Sequence, residues 1–201
     1  LCKAPITTTM EFANNIKSES GISVCGILSM DRRMKKTHNN FVISGSAVFR
    51  RDRLIGYMDE EETCGMEWIR GKVKIGDILI QNKDKSKISL NIVKAKSRFN
   101  PIINGKFISF TVNITAQSNI REIYENKSQN MDFNADPNLI DELSKKQNEV
   151  IGERINLAIN AAQNRLGADV FGFGETIYRD YPKDWSNIKK RWDNIFDQSF
   201  G

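Results

Sequence analysis

Apolar and polar residues alternate through much of the first 120 positions, and this period of two predicts β-strands. The alternation is most regular at residues 107–116, where Ile108, Phe110, Val112 and Ile114 are each followed by Ser, Thr or Asn. Further strands are predicted at 22–30, 73–80 and 86–96, and a hairpin that turns at Arg51 and Asp52 is predicted from Phe41 to Tyr57. Such a sheet has one covered face and one face in solvent.

Helical periodicity separates and follows these strands. Asp59 stands three residues before Glu62, which is the spacing of a capping box, and Gly71 predicts the end of the short helix that starts there. A short amphipathic helix is also predicted at 10–17. Beyond residue 136 an apolar stripe continues for about eight turns and stops at Gly167. A last helix is predicted from about Lys183, with an apolar face that extends to Phe196.

Strands followed by helices predict an α+β fold, with helices packed on one face of an antiparallel β-sheet. The chain has 201 residues, 39% of them hydrophobic, and can therefore bury a core of its own. We place a single domain at residues 41–201. Residues 1–40 are predicted to be an N-terminal segment that is either a linker or the edge of a preceding domain.

Charge adds one candidate surface. The net charge is +5, and Lys and Arg are concentrated at residues 31–36 and 82–106. Solvated strand edges often carry Lys, which discourages aggregation, but the same charge would also attract anionic lipid or an acidic partner. Nucleic-acid binding is not indicated because no recognition motif accompanies the charge.

No residue pattern supports catalysis. His38 is the single histidine and lies in a polar stretch without a nucleophile or orienting acid that would complete a catalytic triad. Residues 172–174 lack the third glycine of a dinucleotide fingerprint. Neither a disulfide framework nor zinc-ligand spacing is formed by the three cysteines, which are Cys2, Cys25 and Cys64. We therefore expect no enzyme activity, no cofactor and no metal site.

Three tryptophans lie at helical spacing on apolar faces, namely Trp68, Trp185 and Trp192. Core packing explains this placement most simply. The alternative is an aromatic anchor in a protein interface, because Trp is enriched at interface hot spots. The sequence leaves both interpretations open.

Two ordered blocks of residues resemble one family. The first, within 45–72, has G-x-A-V-F, then L-x-G, then an acidic helix start and W-x-x-G-K. The second, within 169–196, has D-x-F-G-F-G, then Y-P-x-x-W and W-x-x-x-F. Together they resemble the C-terminal domain of the spore-germination receptor C subunits, the Ger(x)C lipoprotein family of endospore-forming bacteria. The resemblance covers residues 20–201, with Met58 where the family usually has Leu.

The resemblance implies a non-catalytic subunit domain of a nutrient germinant receptor in bacterial spores. It implies two partners, the membrane-embedded A and B subunits, and a location on the outer face of the inner spore membrane. Intact members carry an N-terminal lipid anchor and further domains, which we expect to lie outside this sequence. Direct binding of a small-molecule germinant is the alternative function.

The candidate partner-binding or structural residues combine the family signature with the basic stretch. The bend at residues 171–174 is a candidate docking position, unless its glycines supply positive φ angles and its phenylalanines pack inward. Glu122 matches an acidic residue that follows the alternating strand in the family. The full set is Trp68, Lys94, Lys96, Arg98, Glu122, Asp169, Phe171, Gly172, Phe173, Gly174 and Trp185.

Overall fold

The structure is a computed structural model that describes residues 2–30, 41–74, 76–81, 87–104, 107–124 and 137–198. Its strands are β1 (Ile22–Met30), β2 (Phe41–Arg50), β3 (Arg53–Met58), β4 (Gly76–Gln81), β5 (Lys87–Asn104) and β6 (Phe107–Tyr124). Its α-helices are α1 (Thr9–Lys17), α2 (Glu60–Ile69), α3 (Pro137–Asn160), α4 (Phe173–Asp180), α5 (Pro182–Ile188) and α6 (Trp192–Gln198).

The predicted α+β class with antiparallel strands is confirmed. The described strands, however, form two sheets of three strands each, in the orders β1-β2-β3 and β4-β5-β6. The chain leaves the first sheet at Met58 and enters α2, whose last seven residues are all buried. This helix separates β3 from β4 in the chain. β4 pairs with β5 and not with a strand of the first sheet, so it begins a second sheet.

β1 pairs with β2 across the boundary that the sequence predicted at residue 40. Ile22 lies opposite Arg50 and Met30 opposite Phe41, in antiparallel register. The basic stretch at 31–36 belongs to the connection between them, which lies outside the described residues. One structural unit thus includes residues on both sides of residue 40, and we propose that the domain begins before β1.

β5 and β6 are each 18 residues long, and each extends well beyond the strand that the alternation predicted. β4 pairs only with residues 87–92 of β5, so residues 94–104 and 107–117 form a two-stranded β5–β6 ribbon. Pro101 argues against a central strand, because proline cannot donate a ladder hydrogen bond. It is accommodated here because β4 does not reach this half of β5.

Two apolar clusters fill the interior, and α2 contributes to both. Met66 and Ile69 belong to the first cluster, which lies among the first sheet, the β5–β6 ribbon and the C-terminal helices. Cys64 and Trp68 belong to the second cluster, under β4 and the first half of β5. Residues three or four positions apart lie on the same face of a helix. Met66 and Ile69 therefore share one face, and Cys64 and Trp68 share another.

The N-terminus of α2 is closed by the predicted capping box. The Glu62 backbone N–H donates to the Asp59 carboxylate at 2.9 Å, and the Asp59 N–H donates to the Glu62 carboxylate at 2.9 Å. The predicted end is also confirmed, since the helix stops at Ile69 and Gly71 has a φ of +66°. Glu61 at this end pairs with Arg154 of α3, with 2.5 Å between carboxylate and guanidinium.

α3 continues into a π-helical turn, Ala161–Leu166, and ends at Gly167 with a φ of 55°, as predicted. The single C-terminal helix that the sequence predicted is broken, because a 3₁₀ turn at Lys189–Arg191 separates α5 from α6. α4 was not predicted by any sequence pattern. Its cap is supplied by Asp169, four residues before the helix begins, whereas capping patterns in sequence are sought next to the helix.

The backbones of α2 and α3 come close together at Gly65. A Cβ atom on Gly65 would lie 1.9 Å from the Arg154 carbonyl oxygen and 2.9 Å from the Ala158 Cβ. We predict that Gly65→Ala lowers the free energy of unfolding by about 3 kcal/mol, because backbone must move to accept the methyl group. Urea denaturation followed by circular dichroism measures this change.

Gly152, also in α3, provides the matched control. A Cβ there meets nothing within 4 Å, so Gly152→Ala should raise the free energy of unfolding by roughly 0.5–1 kcal/mol. Equal effects of the two substitutions would show that the contact at Gly65 is looser than the structure has it.

Candidate partner-binding surface

The bend between α3 and α4 is built around the buried carboxylate of Asp169. Its Oδ1 accepts the backbone N–H groups of Gly172 at 3.0 Å and Phe173 at 3.1 Å, and its Oδ2 accepts that of Gly174 at 2.7 Å. These are N–H groups that the start of α4 leaves without helical partners. Burial raises the pKa of Asp169, and the three backbone hydrogen bonds oppose that rise.

The two glycines of the bend are needed for different reasons. Gly172 has a φ of +87°, a conformation that residues with a Cβ rarely adopt. Gly174 has no such φ, but a Cβ there would lie 2.7 Å from the Trp192 Nε1 and 3.1 Å from the Trp185 ring. One glycine therefore permits the turn, and the other permits the indole rings to pack against α4.

Both phenylalanines of the bend point into the first apolar cluster. Phe173 stacks on Phe110 of β6 with ring centroids 4.4 Å apart and meets Phe99 of β5 edge-on at 5.0 Å. Phe171, 3% exposed, lies 5.2 Å from Phe173 and 6.2 Å from Phe196 of α6 between ring centroids. The bend thus joins the β5–β6 ribbon to the C-terminal helices, which supports a structural role for it.

The candidate tryptophans are also buried. Trp185 lies 5.7 Å from Trp192 between ring centroids, in the first cluster, and Trp68 lies in the second cluster. Neither Trp68 nor Trp185 presents a surface to solvent in this structure, so both rings support packing and not an interface anchor.

The cations of the basic stretch form a row on the outer face of the β5–β6 ribbon. Lys94, Lys96 and Arg98 are all exposed and lie at alternate positions of β5. Alternate residues of a strand are about 6.8 Å apart. The residues opposite them on β6 are uncharged, and they are Gln117, Thr115 and Asn113 respectively. Among the described residues no ion pair involves this row.

Two exposed apolar side chains lie at the tip of the ribbon. Ile102 is 46% exposed and Phe107 is 83% exposed. Neither residue was among the candidates chosen from the sequence. The alternation does indicate that Phe107 faces outward, because it is at the same alternate positions as Ser109 and Thr111 and not as Ile108 and Phe110. The outer face therefore combines an apolar tip with a cationic row.

Glu122 lies apart from this surface. It is exposed on β6, five residues beyond Gln117, and pairs in register with Ser89. The neighbouring Arg121 forms an ion pair with Asp77 of β4 at 2.8 Å. The structure thus divides the candidate residues into a buried group, the cationic row and Glu122.

A cleft of about 530 Å³, which no sequence pattern predicted, lies between the N-terminal segment and the region after α2. Its lining residues are Cys2, Lys3, Ala4, Ile6, Glu67, Lys72, Val73 and Lys74. Burial raises the pKa of Glu67, and the charges of Arg70 and Lys72 oppose the rise. The two walls are far apart in sequence, so no local pattern signals the cleft.

The described residues contain no group of three or more His, Cys, Asp or Glu placed to hold a metal ion. His38 lies outside them. No helix in the part of the chain that the structure describes is both long and apolar enough to cross a membrane.

Phe171→Ala tests whether the bend is structural. We predict that it lowers the free energy of unfolding by about 3–5 kcal/mol, since it opens a cavity among packed rings. Phe107→Ala is the matched control, because an 83% exposed ring should change stability by less than about 0.5 kcal/mol. Thermal melts of both variants measure the difference. Unchanged melting of Phe171→Ala would refute the structural role.

The comparison with proteins of known sequence gives a consistent result. Spore germination protein YndF of Bacillus subtilis (strain 168) is 32% identical over 159 residues, which are 78% of this chain and 38% of that protein. Spore germination protein KC of the same organism is 25% identical over 156 residues, 76% of this chain and 36% of its own length. The chain therefore spans less than half the length of these curated relatives.

A solved structure shares the fold. The crystal structure of the GerBC protein matches with a TM-score of 0.78 and 16% sequence identity, covering 94% of this chain and 57% of that one. Residues 44–199 match the model of a family described as Spore germination B3/GerAC like, C-terminal. The chain belongs to this family of spore germination proteins, as the two signature blocks indicated.

Proposed function

We propose that the chain is the C-terminal domain of the C subunit of a nutrient germinant receptor, and that it acts as a non-catalytic interaction module. Membership of the GerAC-like family and relatives named as spore germination proteins support a role in germination. The match covers only 38% of YndF, so the relatives' names describe proteins much longer than this chain. What the intact protein does, and what it binds, is therefore part of this proposal.

The outer face of the β5–β6 ribbon carries the proposed interaction role. The inner face of the ribbon is covered by both apolar clusters, whereas the outer face is left to solvent with Lys94, Lys96 and Arg98 exposed in a row. Since no carboxylate lies opposite these cations in the sheet, the face favours a negatively charged partner or surface.

The proposed partners are the membrane-embedded A and B subunits, on the outer face of the inner spore membrane. An N-terminal lipid anchor would hold the intact protein there. The exposed Ile102 and Phe107 at the ribbon tip support this location, because apolar side chains beside cations suit the boundary between headgroups and acyl chains.

Charge reversal on the cationic row tests the proposal. We predict that the double variant Lys96→Glu, Arg98→Glu reduces co-purification of the A and B subunits from spore membranes by about tenfold or more, since attraction becomes repulsion. Nutrient-triggered release of dipicolinate should fall in the same spores.

The double variant Lys189→Glu, Lys190→Glu, which reverses two exposed cations of the C-terminal 3₁₀ turn, is the control with the same charge change at a different place. It should leave co-purification and dipicolinate release unchanged. Wild-type behaviour of the double variant in both measurements, with the protein present at its normal level, would contradict the proposed docking face.

A second function, direct binding of a small molecule, is favoured by the cleft behind the N-terminal segment. Its volume of about 530 Å³ is within the range of ligand pockets, roughly 300–1,000 Å³. Its lining residues include the acidic Glu67 and the basic Lys3, Lys72 and Lys74. Residues of both charge signs therefore border the cleft, which suits a small zwitterion such as an amino acid.

Titration calorimetry of the full chain with individual amino acids tests this second function. We predict a saturable heat for at least one of them, and its loss in Ala4→Trp, which adds an indole ring at a residue that lines the cleft. The absence of heat with every amino acid would exclude this function. Equal heat in Ala4→Trp would place the ligand elsewhere.

A further inference from the structure

The inner face of the first sheet extends beyond the core that it covers. Val24, Leu28 and Met30 lie at alternate positions of β1, and alternate residues of a strand share a face. Val24 is buried in the first apolar cluster, whereas Leu28 and Met30 are each more than half exposed. The face that packs inward at one end of the sheet is therefore open to solvent at the other end.

The neighbouring strand β2 is apolar and exposed at the same place. Phe41 lies opposite Met30 and Ile43 opposite Leu28, and both are more than half exposed. β3 pairs only with residues 46–50 of β2, so among the described strands β1 alone lies beside this end of β2. These four side chains form one block, which we call the β1–β2 patch.

The N-terminal segment marks where the covered part of this face ends. A Cβ atom on Gly26 of β1, two residues before Leu28, would lie 3.2 Å from the Ala4 Cβ and 3.6 Å from the Pro5 carbonyl oxygen. The segment therefore lies against the sheet at Gly26, and the β1–β2 patch begins directly beyond it.

The size of the β1–β2 patch distinguishes it from a single exposed side chain. Its exposed parts amount to on the order of 400 Å², since a large apolar side chain has a surface of roughly 150–250 Å². The largest apolar patch on a typical monomer measures about 300–600 Å² and often has a function. A patch of this size is expected to have a partner.

We propose that the β1–β2 patch is a self-association surface, at which two copies of this chain pack face to face about a two-fold axis. The four side chains carry no charge, so they neither select a charged partner nor repel a second copy. Apolar residues lie opposite apolar residues on the two antiparallel strands, so a half turn places one block on another like itself. Stacked sheets interdigitate their side chains in this way.

The area of the β1–β2 patch agrees with a weak dimer. Two facing patches would bury on the order of 800 Å² of apolar surface, and a specific interface buries at least about 1,000 Å² in total. The polar rim that surrounds such a core supplies the remainder. An interface near this lower limit should dissociate at on the order of 10–100 µM.

Sedimentation equilibrium of the full 201-residue chain tests the proposal, at concentrations from about tenfold below to about tenfold above that range. We expect the average mass to rise with concentration from the monomer towards the dimer and to stop there, because a two-fold interface closes on itself. A monomer at every concentration would overturn the proposal, as would a mass that rises well beyond the dimer.

Matched variants locate the interface. Phe41→Thr, Ile43→Thr should raise the dissociation constant at least tenfold and leave the thermal melt almost unchanged, since threonine suits a strand and both sites are exposed. Leu28→Thr, Met30→Thr should repeat the loss from the neighbouring strand.

The control, Ile102→Thr, Phe107→Thr, makes the same two substitutions at exposed positions of the β5–β6 ribbon and should dimerise like the wild type. A dimer that persists in both patch variants, or that the control weakens equally, would refute the assignment of the interface to the β1–β2 patch.

Discussion

The contact between α2 and α3 at Gly65 is the constraint on which the rest of the structure depends. The two helices approach so closely that a single methyl group at Gly65 would lie 1.9 Å from the backbone of α3. At this distance α2 can direct Met66 and Ile69 to one apolar cluster and Cys64 and Trp68 to the other. The capping box and the Glu61–Arg154 ion pair fix the end of α2 at which this contact starts.

Local patterns in the sequence were sufficient wherever the deciding interactions are local. The β2–β3 hairpin, the capping box at Asp59 and the stop at Gly167 each depend on residues that are adjacent or nearly adjacent in the chain. The length of β5 and the division into two sheets depend on distant contacts, and Pro101 is acceptable only because β4 does not reach that half of β5. The start of α4 is a different case, because Asp169 caps it from only four residues away but from outside the usual capping position.

The candidate site, too, could be predicted from the sequence only in part. The residues that carry the family signature include Asp169, Phe171, Phe173 and Trp185, and all four are buried where the ribbon meets the C-terminal helices. The signature therefore identified the family through its packing and not through an exposed surface. The cationic row was visible as composition, but its alignment on one face, its uncharged partners on β6 and the apolar tip required the register of the two strands. The cleft required the N-terminal segment to return to α2, which no periodicity encodes.

The packing on the inner face of the β5–β6 ribbon affects how the protein is expected to unfold. Its residues divide between the clusters: Phe99 and Val112 pack against the first, and Ala95 and Ile114 against the second. α2 divides in the same way. Neither cluster can lose its packing while these two elements stay intact, so the two sheets do not correspond to two independently melting units. We therefore expect the two sheets to unfold together, in a single cooperative transition.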